Sequence, residues 1–299
     1  MRKKRLAELL ETLAVHNGLT PSALPGIFFF RATEPIPRCP MVYEPSIVIV
    51  GQGRKRGYLG DEVYTYDAYN YLVLSVPLPL ECETIEASPE KPALAVSIAV
   101  NPATLSELLM EMDDEIGRNK AVPRGIYATV LVDEMIDAVI RLLECLHSPM
   151  DSRVLGSQIV REIIYRVLCG ERGGALRTMV NRHSHFNQIA KVLKRIHLEY
   201  PNSLDVNSLA GEVNMSVSTF HHTFKAVTAV SPLQYVKNIR LHKARLLMVQ
   251  DGYNASSAAG MVGYESASQF SREFKRLFGS SPLDEAARLR LVGAGNISV

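Results

Sequence analysis

The stretch Leu209-Ala210-Gly211-Glu212-Val213-Asn214-Met215-Ser216-Val217-Ser218-Thr219-Phe220-His221-His222-Thr223-Phe224-Lys225, followed by Ser231-Pro232-Leu233, decides how the C-terminal part of this chain is read. It returns as Ala258-Ala259-Gly260-Met261-Val262-Gly263-Tyr264-Glu265-Ser266-Ala267-Ser268-Gln269-Phe270-Ser271-Arg272-Glu273-Phe274-Lys275, followed by Ser281-Pro282-Leu283. The Ala-Gly pair recurs at an offset of 49, while Phe-x-x-x-Phe-Lys and Ser-Pro-Leu recur at an offset of 50. One residue is therefore inserted in the turn of the second copy, where insertions are tolerated.

Each copy has the physics of a helix-turn-helix. The small Ala-Gly pair lets two helices approach closely. A polar turn follows, and Ser216 or Ser266 is a good N-cap for the next helix. That helix buries Phe220 and Phe224, or Phe270 and Phe274, one turn apart on its inner face. Its outer face then carries Ser218, Thr219, His221, His222 and Lys225, or Ser268, Gln269, Ser271, Arg272 and Lys275. These hydrogen-bonding side chains are suited to base edges and phosphates. A single such face could equally be a solvated helix surface; two copies in register argue for DNA. Pro232 to Gln250 reads as one connecting helix, which would place the two outer helices in successive major-groove segments of one duplex, ~34 Å apart.

Residues 181–299 hold 14 Lys and Arg against 8 Asp and Glu, whereas residues 1–180 hold 19 against 23. A basic C-terminal third beside an acidic remainder fits a nucleic-acid module joined to something else. From Gly26 to Val100 the pattern is that of strands. Ile27–Phe30, Ser46–Val50, Tyr69–Leu74 and Ala93–Ile98 are short β-branched or aromatic runs punctuated by Pro and Gly, as in a barrel or sandwich. Beyond Asn101-Pro102 the period becomes helical, with Leu105, Leu108, Leu109 and Met112 on one face. Further helices are expected from Ala128 to Cys145 and from about Arg153 to Leu168; this pair could support a homodimer. Arg172-Gly173-Gly174 and the segment around Asn181 read as a junction.

The C-terminal pattern is joined by Arg240-Leu241, Ala244 and Leu246-Leu247 on the connecting helix. Together these motifs closely resemble the AraC/XylS transcription regulators over roughly residues 185–290. The resemblance implies that Ser218, His221 and His222, then Ser268, Gln269 and Arg272, face bases, and that the regulator works with RNA polymerase. Asp284-Glu285-Ala286 departs from the family pattern, which has an aromatic-Arg pair after the second Ser-Pro. Gly51-Gln52-Gly53-Arg54-Lys55-Arg56, Leu59-Gly60, Tyr71-Leu72-Val73, Pro77-Leu78-Pro79 and Ala87-Ser88-Pro89-Glu90-Lys91-Pro92 resemble the N-terminal domain of one AraC-type subgroup. That implies a cupin-like β-barrel with trailing helices, used for effector binding and dimerisation. The expected fold is α+β: residues 1–175 as the cupin-like domain (barrel about 26–100, helices about 103–170), and 185–290 as an all-α domain with two helix-turn-helix units.

A sequence-specific, effector-responsive one-component regulator is the reading that follows. The alternatives are a ligand-independent dimeric regulator with a purely structural barrel, and a metal-free cupin enzyme fused to a DNA-binding domain. A metal-dependent enzyme is argued against by the absence of histidine between Gly26 and Val100, since such centres need clustered His and carboxylate ligands. There is no Ser-His-Asp order, P-loop or dinucleotide fingerprint either, and no cofactor is expected. His183-Ser184-His185 lacks an evident third ligand. Effector candidates are Tyr43, Tyr64, Tyr66 and Tyr71, which offer an apolar body and a polar tip, and Gln52, Arg54 and Lys55, which could hold an anion. Each has a plainer reading as a core, rim or turn residue. Cys39, Cys82, Cys145 and Cys169 are widely spaced without C-x-x-C, as reduced, partly buried thiols in a cytoplasmic protein would be, with redox sensing as the alternative. The basic N-terminus leads into an amphipathic helix expected over Leu6 to Leu19, not a signal peptide, and no run reaches the ~18 apolar residues of a membrane span.

Overall fold

The computed structural model of the chain describes residues 1–112, 124–177, 179 and 185–292. Helix α1 (Arg2–Leu13) is followed by strands β1 (Gly18–Pro21), β2 (Ile27–Ala32), β3 (Ile36–Tyr43), β4 (Ser46–Gln52), β5 (Arg54–Leu59), β6 (Glu62–Asp67), β7 (Asn70–Leu74), β8 (Leu78–Glu86) and β9 (Ala93–Ala99). Then come α2 (Pro102–Glu111), β10 (Ile126–Val130), α3 (Asp133–Leu146), α4 (Pro149–Cys169) and the short α5 (Gly174–Arg177). The rest is helical: α6 (His185–Glu199), α7 (Val206–Glu212), α8 (Val217–Thr228), α9 (Pro232–Val249), α10 (Ala255–Met261), α11 (Ala267–Phe278) and α12 (Pro282–Val292).

The strands form one curled antiparallel sheet in the order β1-β2-β9-β4-β7-β6-β5-β8-β3, with β10 added against β7. This half-barrel, its helices and the helical C-terminal region make the α+β architecture. The central strand β4 is buried on both faces, which explains its unbroken run Ile47-Val48-Ile49-Val50. Ile47 and Ile49 point to one side, where they pack with Leu6 and Leu10 of α1 and with Ile136, Val139 and Ile163 of α3 and α4. Val48 and Val50 point to the other, into a core shared with Phe186 and Ile189 of α6 and with Phe220 and Phe224 of α8. The period of two thus sends alternate residues of one strand into the regulatory core and into the core beneath the first helix-turn-helix.

Two expectations are corrected. The helix expected over Leu6 to Leu19 ends at Leu13, and Gly18–Pro21 pairs instead with Phe28–Arg31 as an edge strand. The left-handed Gly18 (φ 93°) makes that switch of direction. The helix expected from Ala128 begins at Asp133, because Ile126-Tyr127-Ala128-Thr129-Val130 finds a full register partner in Asn70–Leu74. The sheet thereby reaches beyond the 26–100 span at both ends. His183 lies outside the described residues. Among the described residues, no helix is long and apolar enough to cross a membrane.

The connecting helix α9 enters two cores. Tyr235, Val236 and Ile239 belong to the core shared with the half-barrel, while Leu241, Ala244, Met248 and Val249 belong to that of α10–α12. Between them, Arg240 donates to the carbonyls of Tyr200 (2.7 Å), Asn202 (2.8 Å) and Gly263 (3.1 Å). It so ties the end of α6 to the turn of the second unit. Gly263 is left-handed (φ 86°), and a Cβ there would stand 2.1 Å from the Pro201 carbonyl oxygen. Gly263→Ala should therefore destabilise the protein by about 2–3 kcal/mol in urea unfolding, more than Gly279→Ala, which has the same backbone hand but open space, at about 1 kcal/mol. Arg240→Lys should lose about 2 kcal/mol, because an ammonium cannot span three carbonyls as a planar guanidinium does; unchanged stability would show that the three bonds do not hold the units together.

Candidate functional site

The two helix-turn-helix units match almost atom for atom in their backbone signals. Asp205 and Asn254 cap the first helices by accepting from Ser208 N and Ser257 N, both at 2.9 Å. In the turns, Asn214 (φ 53°) and Gly263 are left-handed, and the next amides, Met215 N and Tyr264 N, reach back to the Ala210 and Ala259 carbonyls at 3.0 and 2.9 Å. Ser216 and Ser266 then cap α8 and α11 by accepting from Thr219 N and Gln269 N, both at 3.2 Å. The equivalences shift from an offset of 49 to one of 50 between Tyr264 and Ser266, so the inserted residue is the exposed Glu265. Phe220–Phe224 and Phe270–Phe274 pack at the same centroid distance, 5.5 Å. Both helices end on a left-handed residue, Ala229 or Gly279, whose N–H returns to the carbonyl of Lys225 or Lys275 at 2.9 Å.

The outer faces follow. Ser218, Thr219, His221, His222 and Lys225 on α8, and Ser268, Gln269, Ser271, Arg272 and Lys275 on α11, are all exposed. Two are partly engaged. The Thr219 hydroxyl shares a hydrogen bond with Ser216 Oγ (2.8 Å), and the Gln269 amide donates to Glu273 (3.2 Å). Glu273 also accepts from Lys237 of α9 (2.7 Å) and from the Tyr264 hydroxyl (2.8 Å), which hold its carboxyl below the usual range against the opposing effect of burial. Among the described residues, Lys225, Arg272 and Lys275 make no ion pair.

Residues outside the motifs fix these faces to the half-barrel. Arg124 pairs with Glu62 (2.9 Å) and donates to the Lys225 and Ala226 carbonyls at 3.0 and 2.8 Å, while Gly125 N donates to Val227 O (3.2 Å). A cation at the C-terminal end of α8 also complements the helix dipole. Tyr235 of α9 donates to Pro77 O (2.8 Å), so His197 Nε2, 2.8 Å from the same hydroxyl, must be the donor there. Burial pushes the His197 imidazole down to about 4, in keeping with a neutral ring.

A cavity of about 730 Å³ lies at the seam between the half-barrel and the second unit. Its walls come from β2, β3, β5 and β8 on one side, and on the other from Arg245 of α9, Phe278 to Ser280 after α11, and Glu285 and Arg288 of α12. Of the effector candidates, Lys55 lines it. The Lys55 side chain is buried (5% exposed), with Nζ 3.6 Å over the Phe30 ring and no carboxylate partner among the described residues. Burial lowers its pKa, opposed only by the thiols of Cys82 and Cys39. The other candidates lie elsewhere. Tyr43 and Tyr66 are buried in the core with hydroxyls 3.4 Å apart, and Tyr71 is buried on the opposite side of the sheet. Tyr64 bonds Glu62, Gln52 donates to Pro92 O (2.8 Å), and Arg54 pairs with Asp67 (3.4 Å) and Glu86 (3.0 Å). The departure at Asp284-Glu285-Ala286 also resolves here. Glu285 is buried, accepting from Ser280 Oγ (2.8 Å) and pairing with Arg288 (3.0 Å) and Arg245 (3.7 Å). No motif signalled Arg124 or Arg245; both act through backbone carbonyls distant in sequence.

Comparison with known proteins agrees with this architecture. The family model described as the AraC-type transcriptional regulator N-terminus matches residues 23–175, and one described as a helix-turn-helix domain matches residues 209–288. The chain is 30% identical over 99 residues to the Msm operon regulatory protein of Streptococcus mutans, covering 33% of this chain and 34% of that protein. It is 29% identical over 144 residues to the raffinose operon transcriptional regulatory protein RafR of Pediococcus pentosaceus, covering 47% and 50%. It thus spans about a third to a half of the length of such curated relatives. Among solved structures, ToxT of Vibrio cholerae with a bound unsaturated fatty acid superimposes with a TM-score of 0.59 at 11% identity, over 88% of this chain and 94% of that one, a likeness of fold. With the N-terminal match alone covering about half of its 299 residues, and the paired helix-turn-helix units following it, the chain belongs to the AraC family of transcriptional regulators.

Proposed function

We propose that this protein is a sequence-specific DNA-binding regulator that reads two adjacent major-groove segments with α8 and α11, under the control of a small anionic effector held at the seam. The observation that carries the DNA reading is the equivalence of the two outer faces. Same caps, same buried Phe pair and same C-terminal turn leave corresponding polar rows exposed on two helices joined by one rigid helix. Ser218, His221 and His222, and Ser268, Gln269 and Arg272, are assigned to base edges. Thr219 and Ser271 flank them, and Lys225 and Lys275 are assigned to phosphates. The protein acts in the cytoplasm without enzymatic activity, as a homodimer and in concert with RNA polymerase. The exposed Met150, Val154 and Leu155 of α4 support the dimer.

The effector reading rests on Lys55, a buried amine with no carboxylate partner among the described residues, in a cavity that also touches the DNA-binding half. An unpaired buried charge is costly, and an anionic ligand would relieve that cost. The fatty acid carried by ToxT supports an amphiphilic carboxylate as the ligand class. It favours effector control over a purely structural barrel.

Selection of duplexes from random-sequence DNA by the full chain at fixed near-physiological salt should enrich a motif with two elements about one helical turn apart. Enrichment of a single element, or of none with effector present, would remove the two-helix reading. On the selected duplex, Arg272→Ala should cost about 1–3 kcal/mol and relax preference at one base pair. Lys275→Ala should weaken all sequences alike and reduce the salt slope by about 1. Unsaturated fatty acids should raise the thermal midpoint of the wild type and of Arg54→Met, but not of Lys55→Met; a shift retained in Lys55→Met would place the ligand elsewhere.

A further inference from the structure

Cys39 and Cys82 stand far apart in sequence, yet the antiparallel pairing of β3 with β8 makes them direct cross-strand partners. Directly opposed residues share a face of the sheet, and here that face is the wall of the seam cavity, which both cysteines line. Opposed Cα atoms in an antiparallel pair lie about 4.5–5.5 Å apart, inside the span a disulfide bridges, about 4.4–6.8 Å. Both thiols are free. They are also unequal. Cys39 is partly buried, and burial raises its thiol above the usual value, opposed by the neighbouring Arg245 and Lys55. Cys82 is 3% exposed, with the Tyr66 hydroxyl 3.8 Å from its sulfur, and burial pushes its thiol up to about 11.

We propose that Cys39 and Cys82 are a reversible dithiol–disulfide switch on the cavity wall, oxidised by a small carboxylate-bearing disulfide. The cavity can seat such an oxidant at Lys55, which has no carboxylate partner among the described residues; the other lining cations, Arg38, Arg245 and Arg288, are paired with Glu81 or Glu285, and Glu34 and Glu83 also line the walls. The Cys39 thiolate attacks one sulfur of the external disulfide. That S–S bond breaks, a mixed disulfide forms at Cys39, and the first small thiolate leaves and takes up the proton Cys39 released. The Cys82 thiolate then attacks Cys39 Sγ, and the second small thiolate departs with the proton from Cys82. Two protein thiols are oxidised to one disulfide and one external disulfide is reduced to two thiols. Attack in this order follows from access, Cys39 being the more accessible of the two thiols and Cys82 the resolving one.

The bridge would be felt in the DNA-binding half. Arg245 of the connecting helix α9 donates to the carbonyl of Pro40 (3.2 Å), the residue next to Cys39. Locking Cys39 to Cys82 sets the backbone that holds this bond, and α9 carries both helix-turn-helix units.

The test uses the full chain equilibrated in graded mixtures of glutathione and glutathione disulfide, then alkylated under denaturing conditions and mapped by mass spectrometry. Cys39 and Cys82 should both be lost to alkylation and be recovered in one cross-linked peptide that dithiothreitol resolves, whatever adduct the exposed Cys169 carries. Cys82→Ser should accumulate a stable glutathione adduct on Cys39, while Cys39→Ser should leave Cys82 unmodified. The oxidised wild type should bind duplex DNA with an affinity changed from that of the reduced protein and restored by dithiothreitol. The Cys39→Ser variant should show no such change. If both cysteines stay alkylatable at the most oxidising ratio, or carry separate adducts without a cross-link, the pair is not a switch. A cross-link that leaves DNA affinity unchanged would likewise overturn the regulatory role. Mapping the wild type needs no variant, so a poorly folding Cys→Ser chain does not remove the test.

Discussion

Everything in the C-terminal half depends on α9 being one unbroken helix with two differently buried ends. Its first turns are anchored by Tyr235, Val236 and Ile239 in the core that reaches the half-barrel, and its last by Ala244, Met248 and Val249 in the core of α10–α12. A straight helix joining two packed units leaves them little freedom. Arg240 removes more of it by binding carbonyls from the end of α6 and from the turn of the second unit. Equivalence of the two outer faces has meaning for a duplex only because this helix fixes their spacing.

The half-barrel is bound into the same arrangement, not tethered beside it. Its sheet is buried on both faces, and one of those faces is completed by helices of the DNA-binding half. Arg124 caps the end of α8, Tyr235 holds Pro77, and Arg245 holds Pro40. A signal arriving at the sheet therefore has direct contacts to act through. The seam cavity sits among these contacts, with Lys55 on one wall and the Arg245–Glu285–Arg288 cluster on the other. Removing either buried partner, Arg245 or Glu285, leaves an uncompensated charge, which makes the pair sensitive to any anion or covalent change placed beside it.

The repeat carried the C-terminal reading because its information is local. Caps, turn residues and Phe pairs act within one or two helical turns, so their spacing alone prescribes helix, turn, helix and outer face. The same locality made β2, β4, β7 and β9 visible as short β-branched or aromatic runs, while the other strands, such as β3 and β5 with their Pro, Arg and Lys, carried no such signal. It failed at Ile126–Val130, where an apolar stretch compatible with a helix becomes a strand because Asn70–Leu74 offers it a register partner. It failed again after Leu13, where pairing with β2 takes over.

The paired units, their outer faces, the connecting helix and the strand-rich first half are legible along the chain, since each is written in residues a few positions apart. Which side chains meet is settled by packing. Of the candidate tyrosines, Tyr43, Tyr66 and Tyr71 turn into core and Tyr64 bonds Glu62, while Lys55 alone among the candidates reaches the cavity. Glu285, a departure from the family pattern, becomes the buried partner of two arginines. Cys39 and Cys82 become neighbours through a strand register. Such meetings are set by sheet curvature and by backbone carbonyls distant in sequence. Neither periodicity nor spacing carries any trace of them.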